Sequence, residues 1–259
     1  MDTLDRKKLD PITMGLGPRH WGNSLRLSDH SSMSSHSWRS GDGVNWRLEV
    51  LPSASLKALN FLATQKWLKQ TAWYLAGGTA MALQVGHRSS VDLDFFSPKK
   101  FDHGKLVANF PKKYWKTSML REGTVYGALH KAKVSFIYYP FFVPQKPLHP
   151  YGTVKVLDEA DVAVMKIVAI SQRGRKRDFV DLYWHCRNRE PLTDVVKRLP
   201  KQYPNVSHNY HHVLKSLTYF SDADVDPMPE IYFPANWEQI KAFFQIEAPK
   251  ALTEFLGLQ

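Results

Sequence analysis

The chain carries a single cysteine, Cys186, in 259 residues. That excludes a disulfide scaffold and a cysteine-based zinc site, and it fits a reducing cytoplasm. No stretch approaches the roughly 20 apolar residues that cross a bilayer, so no membrane-spanning segment is expected. Met1 to Gly15 has charges but no apolar core, which excludes a secretory signal. Acids are scarce: 24 Asp and Glu stand against 35 Lys and Arg, a balance of +11 with His neutral. Such a balance favours an anionic partner, whether nucleotide, nucleic acid or membrane surface. Core-forming residues are not lacking. Hydrophobic residues make up 43% and aromatics 13% of the chain, which excludes wholesale disorder.

Residues 24–40 hold eight Ser and two His with no apolar period. Residues 1–45 therefore read as a low-complexity, disordered tail. Folding signals begin at Trp46. Ser53 or Ser55 can cap a helix bearing Leu56, Leu59 and Leu62. Trp73-Tyr74-Leu75-Ala76 reads as a short buried strand, broken by Gly77-Gly78. Thr79 to Val85 is helix material stopped by Gly86. Val91 to Phe96 alternates strictly, as a half-buried strand does. Val125 to Leu129 and Lys133 to Tyr139 read as strands joined by a turn at Lys131-Ala132. Asp158 opens a helix running to about Ser171, with Asp161 completing a capping-box-like pattern. A second helix starts near Lys176. The expected fold is α+β, with a mixed-sheet core over 46–155 and a helical C-terminal region, 156–259, that completes the active site.

The informative segment runs from Leu75 to Phe96. Side chains alternate across a strand, so Asp92 and Asp94 share a face, with Cα atoms roughly 6.5–7 Å apart. Carboxylates so placed converge on a hard divalent cation, Mg²⁺ or Mn²⁺. Without one, the pair is costly through repulsion and desolvation. Gly77 and Gly78 sit at a strand-to-helix turn, where missing Cβ atoms let backbone N–H groups approach a ligand. The helix start favours a phosphate, and Thr79 adds a hydroxyl. A phosphate cradle beside a metal site suits a nucleoside triphosphate and attack at its α-phosphate. The competing reading is an ordinary turn and a solvated acidic face. Their combination at this spacing favours the site.

A second cluster follows. The helix from Ala160 to Ile170 is apolar nearly all round and so reads as buried. Lys166 is its only inner charge and needs an anion, unless it snorkels at the core edge. Arg173-Gly174-Arg175-Lys176-Arg177 makes a phosphate-binding loop plausible, with a solvated charge run as the alternative. Asp178 and Asp181 also suit a helix N-terminus through the dipole. Arg88 and His87 stand where they could touch substrate, although His87 could equally cap the preceding helix. His208, His211 and His212 read as structural or surface residues.

These two segments, L-A-G-G-T-A-M-A-L-Q-V-G-H-R-S-S-V-D-L-D-F-F (Leu75–Phe96) and K-I-V-A-I-S-Q-R-G-R-K-R-D-F-V-D-L-Y (Lys166–Tyr183), resemble the AbiEii/AbiGii toxin family of nucleotidyltransferases. The resemblance implies a polymerase-β-like core, an NTP substrate and Mg²⁺. It also implies the toxin role of a bacterial toxin–antitoxin or abortive-infection phage-defence pair, with a cognate antitoxin as partner. By position, Gly78 and Thr79 would hold the triphosphate and Asp92 and Asp94 the metal. Lys166 and Asp178 match the family's later essential Lys and Asp. Some relatives modify the acceptor end of tRNA, so RNA, tRNA above all, is the expected acceptor. The expected reaction moves an NMP to a hydroxyl, with Gly77, Arg88, Arg173 and Arg175 as further substrate contacts. One departure stands out. The broader superfamily carries a third acid on a strand after the hairpin, where this chain has Ser135 or Ile137. The general base stays open, with Asp178 either serving or merely orienting Lys166 or an arginine. Two other readings follow: a non-catalytic nucleotide- or RNA-binding module of the same fold, and transfer to a protein side chain.

Overall fold

The computed structural model describes residues 44–207 and 209–257. The expected tail, all but its last two residues, lies outside this range, as does His208. Among the described residues there are seven strands: β1 (Tyr74–Ala76), β2 (Leu93–Ser97), β3 (Trp115–Arg121), β4 (Thr124–Leu129), β5 (Ala132–Tyr138), β6 (His149–Tyr151) and β7 (Val154–Val156). They form one mixed sheet in the order β3-β4-β5-β2-β1-β7-β6. β2 runs antiparallel to β1 and parallel to β5, while β1 runs parallel to β7.

The helices are α1 (Ser53–Leu62), α2 (Lys66–Lys69), α3 (Gly77–Val85), α4 (His103–Val107), α5 (Glu159–Arg173), α6 (Lys176–Asn188), α7 (Leu192–Lys197), α8 (Leu199–Gln202), α9 (Tyr210–Lys215), α10 (Ser221–Asp224) and α11 (Trp237–Leu256). The sheet ends at Val156 and the long helices begin at Glu159, so the α+β division falls where the apolar pattern changes period.

Alternation decides which face of β2 is buried. Leu93, Phe95 and Ser97 are covered, while Asp94 and Phe96 are only partly so. Phe95 stacks on Phe136 of β5 with ring centroids 5.0 Å apart, and Trp73 meets Phe136 edge-on at 5.1 Å. Each such ring contributes about 1.5–3 kcal/mol by leaving water. α5 is covered nearly all round, with Val162, Ala163, Val164, Ile167, Val168 and Ile170 all buried.

Several local expectations need correction. Val91 and Asp92 precede β2 rather than belonging to it. The β4–β5 turn lies at His130-Lys131, both at positive φ (50° and 73°), one residue earlier than the pattern suggested. Asp158 does cap α5, accepting from the Ala160 N–H at 2.9 Å. Asp161 completes no capping box. Its carboxylate instead accepts from the backbone N–H groups of Gln145 and Lys146 and from Gln202 Nε2, tying a loop and α8 to α5.

Candidate active site

Gly77 and Gly78 open α3 directly after β1, and they serve different ends. Gly77 sits at φ +69°, the left-handed region that favours glycine, and a Cβ there would lie 3.7 Å from Asp94 Oδ2. The turn therefore passes directly over the acid, with Ala76 and Asp94 paired across the sheet. Gly78 has ordinary φ, but a Cβ there would stand 2.0 Å from Arg88 Nη2 and 3.1 Å from Asp181 Oδ2. Its missing side chain makes room for an arginine. Thr79 is buried. Its hydroxyl bonds Ser90 Oγ at 2.8 Å and donates to the Asp92 carbonyl. The helix start thus fixes the backbone that delivers Asp92.

Asp94 lies on the partly covered face of β2, Asp92 comes just before the strand, and both act electrostatically on Arg177. Asp94 Oδ1 accepts from Ser135 Oγ at 2.5 Å. Ser135 is the register partner of Asp94 on β5, the place where the sequence raised the question of a third acid. A buried hydroxyl stands there, donating to the carboxylate rather than adding a charge. Asp92 Oδ2 accepts a long bond, 3.4 Å, from Arg177 Nη1. Asp92 Oδ1 is buried with no hydrogen-bond partner. An ionised oxygen shielded from water and without a donor is costly, and a cation removes that cost. The donor set, two carboxylates, fits a hard divalent ion. Among the described residues no cluster of three or more His, Cys, Asp or Glu converges on one point. The remaining ligands of such an ion would come from substrate and water.

Behind the acids lies a buried charge network. Lys166 Nζ reaches Asp178 Oδ1 and Asp181 Oδ2, both at 2.6 Å. Arg88 forks onto Asp181, with Nε at 2.5 Å and Nη2 at 2.9 Å. Arg173 Nε donates to Asp178 Oδ2 at 3.1 Å. Both acids are fully buried. Burial alone would raise the Asp178 carboxyl, but Arg173, Lys166 and Arg177 hold it well below the usual carboxylate range. Burial likewise opposes ionisation of Asp181, and Arg88 and Lys166 overcome it. A carboxylate so strongly held makes a poor proton acceptor. This geometry favours Asp178 as the group that orients Lys166 and Arg173.

His87 donates from Nε2 to Asp181 Oδ1 at 2.7 Å. Burial pushes its pKa down despite that partner, with Arg88 and Lys166 adding to the effect. The neutral ring leaves Nδ1 bare, in keeping with that atom's lack of a partner.

The basic loop divides. Arg173 reaches Asp178, and Arg177 reaches Asp92. Arg175 instead forks onto Asp226, with Nε to Oδ2 at 2.7 Å and Nη2 to Oδ1 at 2.5 Å. Lys176 Nζ binds the Asp226 carbonyl at 2.6 Å and lies over the Trp237 ring. Asp92 and Asp94 therefore meet at Arg177, with Gly77 against Asp94, while Arg173 reaches Asp178. Gly78, Thr79, Arg88, Lys166 and Asp178 form the buried support of this site, and Arg175 holds a loop before α11. Sequence reasoning missed two residues. Asp181 looked like a dipole-favoured helix residue, yet it receives three side chains. Its signal was the i, i+3 spacing from Asp178, which puts both on one helix face. Arg177 was lost among its basic neighbours. It is exposed along one side, and the carboxylates of Asp178, Asp92, Asp94 and Asp181 around it push its pKa up.

A family profile described as nucleotidyl transferase AbiEii toxin, type IV TA system, matches residues 61–113 and 125–256. An uncharacterised protein of Aquifex aeolicus (strain VF5), aq_aa25, is 33% identical over 180 residues, covering 67% of this chain and 84% of the relative. JHP933 from Helicobacter pylori, a crystal structure, aligns with a TM-score of 0.45 at 16% identity, covering 80% of this chain and 95% of that one. MenT4, a nucleotidyltransferase toxin of Mycobacterium tuberculosis H37Rv, aligns with a TM-score of 0.47 at 15% identity, covering 78% and 86%. The matched segments span the Gly-Gly turn, the acid pair of β2 and the lysine and aspartates of α5 and α6: this chain belongs to the AbiEii family of nucleotidyltransferase toxins of type IV toxin–antitoxin systems.

Proposed function

We propose that this protein transfers an NMP from an NTP to a hydroxyl of RNA, with tRNA the foremost acceptor, and that it uses Mg²⁺ or Mn²⁺. The observation that carries this reading is the unpartnered Asp92 Oδ1, two residues before the Asp94 that lies under the Gly77 turn. Asp92 and Asp94 would hold the ion. When bound, it supplies charge neutralisation for the phosphates and activation of the attacking oxygen. The chain's own residues do the rest. The backbone of Gly77 and Gly78, at the start of α3, faces the anionic tail with the positive end of the helix dipole. Arg173 and Arg177 stabilise charge that builds on the phosphoryl oxygens and leaving group. Lys166, pinned by Asp178 and Asp181, keeps α5 and α6 in register with β2. Ser135 holds Asp94 in one orientation.

The test incubates the protein with each labelled NTP, Mg²⁺ and tRNA. Label should move to RNA with wild type and fall at least about 100-fold with Asp92→Ala, the scale expected when charge stabilisation is removed. No transfer by wild type, or undiminished transfer by Asp92→Ala, refutes it.

A further inference from the structure

The acid-bearing face of the sheet does not stop at β2. Asp94 pairs with Ser135 on β5, Ser135 with Tyr126 on β4, and Tyr126 with Met119 on β3. One row along, Lys133 pairs with Ala128 and Ala128 with Lys116. Lys133 precedes Val134, the partner of Leu93, as Asp92 precedes Leu93 in a parallel pair. Lys133 therefore shares the face of Ser135, two residues before the register partner of Asp94, at the end of β5 where the chain enters β2 from Asp92. With strands about 4.8 Å apart, a track about 14 Å long runs from the acids to Lys116.

The opposite face of these strands is core, where Val125, Leu129, Val134 and Phe136 are buried. The track is open: Lys133, Lys116 and Met119 are exposed, Met119 by 43%. Between Lys112 and Lys133 the chain has six cations and one acid, Glu122. That net +5 is half of the +10 excess beyond residue 50. Lys112, Lys113 and Lys131 sit at the same sheet end, because the His130 N–H bonds the Tyr114 carbonyl at 3.0 Å. Among the described residues, Lys112, Lys113, Lys116, Lys131 and Lys133 enter no ion pair. Tyr114, 38% exposed, stacks on His130 at 4.4 Å at this lip.

We infer that this face of β3–β5 is the RNA-docking track that leads the acceptor strand to Asp92 and Asp94. The inference rests on the RNA-acceptor reading above and adds where the RNA lies. A row of unpaired lysines beside an exposed aromatic is what a single strand meets with its phosphates and bases. An acidic protein segment is the competing occupant.

The experiment uses the full chain and fluorescence anisotropy of labelled tRNA, in an Asp94→Asn background where no transfer complicates binding. Lys116→Glu with Lys133→Glu should weaken RNA binding about 10-fold near physiological salt. It should also flatten the log K against log salt slope by about 1.4, the change for two lost single-strand phosphate contacts. Affinity for NTP should stay unchanged. Lys99→Glu with Lys100→Glu, at the other end of β2, makes the same net-charge change and should alter RNA binding less than twofold. Equal loss in both variants, or no loss in the first, overturns the track. So does a variant that keeps RNA binding but loses binding of poly-glutamate. Wild type that binds RNA through these lysines yet transfers no nucleotide sinks the catalytic reading and leaves the track standing.

Discussion

Gly78→Ala offers a sharp test of the buried network, because local and tertiary effects have opposite signs. At an ordinary helical position Ala should stabilise by about 1 kcal/mol over Gly. Here the new Cβ would meet Arg88 Nη2 at 2.0 Å. A flexible side-chain end could normally swing away, but this one is buried and forked onto Asp181. Moving it breaks a buried ion pair, which costs about 3–5 kcal/mol when one partner is lost. Lys166 and His87 still hold Asp181, so the lower end applies. The net expectation is a loss of about 2 kcal/mol, read in urea as a midpoint lowered by roughly 0.7–1 M. With Arg88→Ala already in place only the 3.1 Å approach to Asp181 Oδ2 remains, and Gly78→Ala should then cost clearly less than in the wild-type background. A single mutant as stable as wild type, or an equal penalty in both backgrounds, refutes the claim that Gly78 exists to seat Arg88.

Two further outcomes follow from the same geometry. Ser135→Asp puts a third carboxylate against Asp94; without divalent ion the variant should lose about 1–3 kcal/mol, and Mg²⁺ or Mn²⁺ should raise its Tm more than that of wild type. His87 is held neutral by burial, against Asp181 and with Arg88 and Lys166 adding to the effect, so its folded pKa lies below the unfolded value near 6.5. The unfolded chain then binds the extra proton, and stability from this group falls as pH drops below about 6.5; His87→Gln should remove that component in urea titrations at pH 7 and 5, and an unchanged difference between the two pH values would contradict it.

The sequence spoke most clearly where a period was strict. The alternation from Val91 to Phe96 placed Asp94 on the face opposite Leu93 and Phe95, and the all-apolar stretch around Lys166 announced a buried charge in need of an anion. β3 was invisible because, after Trp115, every residue to Arg121 is exposed, so no buried face imprints a pattern. β6 and β7, three residues each, are too short for any period to register. At the site, residue type and spacing identified the ingredients but not their partners. Nothing local distinguishes Arg175, which pairs with Asp226, from Arg177 two positions on, which reaches Asp92. That choice is made by which direction each side chain leaves the first turn of α6 and by what the rest of the chain has placed there.

Asp181 of α6 lies more than ninety positions downstream of its partners His87 and Arg88. During synthesis the sheet's acid pair emerges first, while Arg88 and the space over Gly78 wait for a counter-charge not yet made. A chain stopped before residue 178 carries β2 beside an unanchored arginine and an uncompensated Lys166. Closure of this network therefore waits for α6, because Asp178 and Asp181 supply the counter-charge that Lys166 and Arg88 share.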